Sequence, residues 1–85
     1  GRNGDADVNL GIAYFGMGEY QKAVEALQRG LAADRVQRVR RPDDANMVLG
    51  IALNELKRRP DAQKAFTAAQ QDPRMAQAAR LWLGG

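Results

Sequence analysis

Residues 10–13 read Leu10-Gly11-Ile12-Ala13, and 39 residues further on the chain reads Leu49-Gly50-Ile51-Ala52. The correspondence continues at the same offset: Met17 with Leu56, Ala23 with Ala62, Ala26 with Ala65, and Leu27 with Phe66. A repeated tetrapeptide alone is a weak signal. Matches that stay in phase well beyond it are an internal duplication, and self-similarity at a fixed period identifies a repeat architecture.

Working outward from the tetrapeptide, each copy reads as two helices separated by a break. In the first, Asp5 and Asp7 stand where carboxylates favour a helix start, and Gly16 and Gly18 close the helix, Gly18 as a left-handed cap. Glu19 opens the next helix, with Tyr20, Ala23, Val24, Leu27 and Leu31 on a period near 3.6. In the second copy Pro42-Asp43-Asp44 is the start signal, and the helix is expected to run to about Arg58, where Pro60 forbids continuation. Asp61 helps open a helix whose inner stripe is Ala62, Ala65, Phe66 and Ala69. Asp72-Pro73 then starts a fifth helix, with Met75, Ala78, Ala79 and Trp82 on one face and Gly84-Gly85 at its end. No segment alternates with period two and β-branched residues are sparse, so the fold class is all-α. The expected layout is one domain over 1–85: a first helix pair over about 5–34, an Arg-rich connection over about 35–41, a second pair over about 42–72 and a capping helix over about 73–83.

Composition narrows the chemistry. The 85 residues include no Cys, no His and no Ser, and Thr67 is the one Thr. Thiolate and imidazole metal sites, His general bases and Ser or Cys nucleophiles are therefore absent. None of the ten carboxylates sits in an apolar context that would raise its pKa for acid–base work. The reading is a non-enzyme with no cofactor. No run of about 18 apolar residues suggests a membrane span. The chain begins Gly1-Arg2-Asn3-Gly4 without Met, which reads as a piece cut from a longer protein with a tag remnant. Its compartment, cytoplasmic or periplasmic, is left open.

The duplicated unit resembles the tetratricopeptide repeat (TPR), whose signature is W-x2-L-G-x2-Y, then A-x3-F, then P, on a period near 34 residues. The first copy offers Leu10-Gly11-x2-Tyr14 and Ala23-x3-Leu27; the second offers Leu49-Gly50-x2-Leu53, Ala62-x3-Phe66 and Pro73. Asp7 and Asn46 occupy the Trp position, and the longer spacing places about five extra residues in the connection. The resemblance implies right-handed helical-hairpin repeats, and more loosely the C-terminal end of a bacterial TPR protein. It also implies that Gly11 and Gly50 allow close helix approach, with Ala23 and Ala62 filling the crossing from the other side.

In such repeats the first helix of each pair lines a concave groove. Leu10, Gly11, Tyr14 and Met17, and likewise Leu49, Gly50, Leu53 and Leu56, are assigned to packing on the partner helix. A second apolar strip, Val8, Ile12 and Phe15 matched by Met47, Ile51 and Asn54, either lines the groove, where a partner helix or peptide would bind, or packs on neighbouring repeats, the second reading weighing more for Val8 and Ile12. The carboxylate-binding clamp of chaperone-tail receptors is absent, since Val8, Ile12 and Val48 stand in its place. The alternative is a self-associating end of a solenoid, forming a homo-oligomer through the groove or by helix exchange. Arg35, Arg38, Arg40 and Arg41 form a further candidate surface, for an acidic partner or nucleic acid. With no interleaved aromatic for base stacking, nucleic acid ranks last. Trp82 reads as a core or capping residue.

Overall fold

The computed structural model describes residues 4–33, 42–71 and 73–84. They form five helices, α1 (Gly4–Gly16), α2 (Tyr20–Ala32), α3 (Pro42–Glu55), α4 (Arg59–Ala69) and α5 (Pro73–Trp82), and no strand occurs among the described residues. The start signals act where expected: Pro42 and Pro73 are first residues of α3 and α5, and Glu19 is the N-cap of α2. Helix α3 stops at Glu55, three residues short of the expected end, because a turn at Leu56–Lys57 intervenes before Pro60 can act.

That turn is the same in both hairpins. The Glu19 N–H donates to the Tyr14 carbonyl at 2.9 Å and the Gly18 N–H to that of Phe15 at 3.0 Å. At the 39-residue offset, the Arg58 N–H donates to Leu53 at 2.8 Å and the Lys57 N–H to Asn54 at 3.0 Å. This pair of bonds satisfies carbonyls that the helix end leaves open, and it needs one residue in the left-handed region. Gly18 takes that role at φ +79°, whereas in the second hairpin Lys57 takes it at φ +62°.

Each hairpin closes on a glycine. A Cβ on Gly11 would lie 2.6 Å from Leu27 Cγ, and one on Gly50 would lie 2.6 Å from the Phe66 ring. The expectation that small residues would meet small residues is corrected: the nearest neighbour of each glycine is the large side chain of the A-x3-F pattern, seated over the bare backbone. A second close approach was not foreseen. A Cβ on Gly30 would lie 2.7 Å from Val8 Cγ2 and 2.8 Å from the Gly4 carbonyl oxygen. The seam of α1 against α2 thus runs Gly4, Val8, Gly11 and Phe15, spaced 4-3-4 along the helix.

The hairpins stack through α2 on α3, and α5 packs on α4. Helices α1, α3 and α5 also approach one another in sequence, while α2 and α4 touch marginally at most. Helices on the inside of a curve crowd together, so α1, α3 and α5 form the inner layer. One continuous core results, with Leu27, Val24, Leu53 and Phe66 its largest enclosed side chains.

Candidate protein-binding surface

Successive residues of a helix are rotated by about 100°, so α1 presents distinct faces. The seam Gly4–Val8–Gly11–Phe15 takes one. The structure therefore corrects part of the expected groove. Val8 is 3% exposed and Met47 9%, both enclosed rather than lining an open channel. Phe15 packs edge-to-face on Tyr20 of α2, with ring centroids 5.7 Å apart at 63°. Asn54 lines a cavity of about 280 Å³ with Ala62 and Phe66 of α4 and Trp82 of α5, on the hairpin side of its helix. The misassignment has a simple origin: positions 8, 12 and 15 share a helical arc, but so do 8, 11 and 15, and the glycine decides between them by letting α2 approach.

Ile12 and Ile51 remain half-buried, each packed partly on the core. On the helical wheel they share an arc with Asp5, Asn9 and Gly16 in α1 and with Asp44, Val48 and Glu55 in α3. This arc lies on the inner layer, between the hairpin seam and the opposite face of each helix. In α3 the middle of the arc is apolar (Val48, Ile51) between Asp44 and Glu55, whereas in α1 Ile12 and the exposed Asn9 lie between Asp5 and Gly16.

The opposite face holds the second correction. Leu10 and Met17, expected to pack on their own partner helix, are 41% and 66% exposed. Their counterparts do pack: Leu49 is buried in α3, and Leu56, in the turn that follows, is half-buried against the core. Where the repeat signature has Trp, the two hairpins differ. Asp7 is held 3.5 Å from Arg29 of α2, while Asn46 borders a cavity of about 300 Å³ with Gln28, Leu49 and Leu53. Other charge contacts lie at the surface: Lys22–Glu19 at 3.7 Å, Arg58–Asp61 at 3.0 Å, and the Lys22 ammonium 5.8 Å from the Tyr14 ring centroid.

Trp82 covers the far end, its ring stacked on Phe66 at 5.4 Å and 13°. Arg35, Arg38, Arg40 and Arg41 lie outside the described residues, as does the Met75 side chain. Among the described residues no group of three or more acidic, His or Cys side chains is placed to hold a metal ion. No described helix is long and apolar enough to cross a membrane.

Helical hairpins stacked in series through a shared core, each closed by a glycine under a large side chain, define a helical-repeat protein. The profile of the tetratricopeptide repeat family matches residues 8–35, which span most of α1 and all of α2. The first hairpin thus matches a tetratricopeptide repeat, and the second reproduces its turn and its glycine contact. Repeats of this family generally mediate protein–protein interaction and are typically not enzymes. Neither the curated proteins nor the solved structures contain a match to this chain.

Proposed function

We propose that this chain is a protein-binding scaffold that takes a partner helix or extended peptide along the inner layer, between the arcs centred on Ile12 and Ile51, and has no catalytic role. The observation that carries this reading is that three branched aliphatic side chains, Ile12, Val48 and Ile51, stay only half-buried on the crowded side of a curved repeat. Aliphatic side chains in a concave surface are anchors for alternate or i, i+4 side chains of a bound segment. Glu55, exposed at the end of the α3 arc, favours a partner with a basic flank there, since opposite charges steer encounter and fix register.

A photoreactive residue in place of Ile51 tests it, with a second probe at Lys64 on exposed α4 as control. The expected result is crosslinking to a foreign polypeptide from the Ile51 position alone, abolished by Ile12→Asp. Equal yields from both probes, or an Ile51 probe that labels nothing but other copies of the chain, would remove the inner layer as the binding surface.

A further inference from the structure

On the side away from the inner layer, α2 and α4 touch marginally at most while α3 packs on both, so α3 is the floor of a cleft with α2 and α4 as its walls. The cavity of about 300 Å³ beside Asn46 lies in this cleft, with Leu49 and Leu53 beneath it, Gln28 on the α2 wall and Ala65 on the α4 wall. Every residue that lines it belongs to the described helices or to the turn between α3 and α4, and both walls are in place. The space therefore belongs to the interior of the repeat stack and does not depend on either end of the chain.

The cavity opens where the repeat signature has Trp and this chain has Asn46. Asn is much the smaller side chain, and it leaves unfilled a space that in the signature belongs to an indole. The first hairpin closes the equivalent gap differently, with Asp7 held 3.5 Å from Arg29 of α2. The second has no such contact: the Asn46 and Gln28 amides have no hydrogen-bond partner among the described residues.

We propose that this cavity is an anchor site for a Trp side chain of a partner protein, carried next to a carboxylate. An indole has apolar faces to set against Leu49, Leu53 and Ala65, and one N–H for which the amide oxygens of Asn46 and Gln28 are acceptors. Large aromatic side chains seated in pockets are the usual anchors of protein interfaces. The charges around the cleft set the side that the carboxylate takes. On the α4 wall Arg58 is paired with Asp61 at 3.0 Å, while Lys64 makes no ion pair among the described residues. On the other walls acids stand nearby in sequence, Glu25 one turn before Gln28 and Asp43 one turn before Asn46. A partner's carboxylate is thus repelled from the α2 side and drawn to Lys64. The site faces away from Ile12 and Ile51, and it stands or falls independently of the binding reading above.

N-acetyltryptophan, an indole beside a carboxylate, is the probe, and its neutral amide is the control. The whole chain is titrated while the methyl resonances of Leu49, Leu53 and Ala65 are followed by NMR. The expected result is a saturable shift with a dissociation constant of about 1 to 10 mM, the range of a single side chain. The amide should bind about threefold more weakly, and Lys64→Glu should remove that difference. Asn46→Trp returns an indole to the space from within the chain and should weaken the probe by about tenfold or more. Asn46→Leu gives the same reading with a smaller filling, should the first variant fail to fold. Absence of a saturable shift at about 20 mM would overturn the proposal. So would unchanged binding in the folded variants at position 46, and so would equal affinity for the probe and its amide. Shifts centred on Ile12 and Ile51 would give the indole to the inner layer and equally overturn it.

Discussion

Leu10 and Leu49 are the same residue at the same place in two copies of one motif, yet the first is exposed and the second enclosed. The difference lies in no local property of the sequence. It lies in what stands next to each helix: α3 has α2 against its outer stripe, and α1 has no described neighbour there. Repeat architectures make this distinction general, because each unit offers two faces and only stacking covers the second. The two hairpins are consequently a controlled pair. Wherever they differ at equivalent positions, a mutation made in both isolates the cause.

The largest contrast should come from the residues seated over the glycines. Phe66→Ala is expected to cost about 3–5 kcal/mol and Leu27→Ala about 2–5 kcal/mol, from lost burial plus the cavity left behind. The ordering is the sharper statement. Phe66 fills the second hairpin and also carries the stacked Trp82 ring, so its loss frees α5 as well. Urea denaturation followed by Trp82 fluorescence should show a red-shifted folded baseline for Phe66→Ala and an unchanged one for Leu27→Ala. Against the total of about 5–15 kcal/mol typical of a domain, either loss is a large share. Equal effects on both stability and fluorescence would mean that α5 does not depend on the second hairpin.

Next in size are the glycines beneath them. Alanine is the better helix former by about 0.8–1 kcal/mol, but overpacking a tight site costs about 1–3 kcal/mol. At Gly50 the added carbon would meet three atoms of an aromatic ring at 2.6 to 2.8 Å, and that ring is enclosed and stacked. At Gly11 it would meet Cγ and Cδ2 of the enclosed Leu27 at 2.6 and 2.9 Å and the Leu27 backbone nitrogen at 3.1 Å. Thermal melts should therefore place both Gly50→Ala and Gly11→Ala below the wild type. A stabilised Gly50→Ala would show that the ring has room to move and that close approach is not what the glycine provides.

These positions also show how much could be read beforehand. The duplication, five helices, the α1–α2 break and the glycine pairs were legible because each rests on local chemistry: a proline without an N–H, a left-handed glycine, an apolar period. The faces were not. The sequence does not separate an open groove from the core for Val8 and Met47, because an apolar residue on a helix apolar nearly all round carries no label saying which neighbour it meets. The signal that could have decided it was present in Gly30, a glycine inside an otherwise good helix, which marks where another backbone comes close. The exposure of Leu10 and Met17 is hidden for the complementary reason, that the pattern records a stripe and not whether a partner is there to cover it. Lys57 had no signal of its own, but its 39-residue distance from Gly18 did contain the answer.

That pair gives a smaller contrast, of opposite sign in the two hairpins. Holding a residue with a Cβ in the left-handed region costs about 1–2 kcal/mol, which Gly18 avoids and Lys57 bears. Lys57→Gly should therefore raise the melting temperature, offset in part by the greater freedom of glycine in the unfolded chain. Gly18→Ala should lower it. Open space surrounds Gly18, so steric crowding cannot account for a loss there. Should Lys57→Gly destabilise, the lysine side chain must contribute an interaction larger than the strain, and the turn would be specified by something other than backbone conformation.

The smallest effect is expected at the position where the repeat signature has Trp. In the first hairpin Asp7 and Arg29 span α1 and α2 at 3.5 Å, with the Arg side chain more than half exposed. Exposed pairs of this kind contribute about 0–1 kcal/mol, because water screens them and ordering a long side chain costs entropy. Asp7→Asn is thus expected to shift the urea midpoint little, and to shift it less still in about 1 M salt, where the screening length falls to about 3 Å. Asn46, the equivalent residue, has no such ion pair to lose: it borders a cavity of about 300 Å³ over Leu49 and Leu53. Asn46→Leu should accordingly stabilise, by about 0.5–2 kcal/mol if the new side chain fills that space, and should be indifferent to salt. The two substitutions then differ in sign and in salt response at one position of one motif. A charge pair closes the first hairpin there, and the second leaves a cavity lined by Gln28, Arg58, Asp61 and Lys64 as well as by Leu49 and Leu53, so the same position is an ion pair in one copy and a site with space to fill in the other.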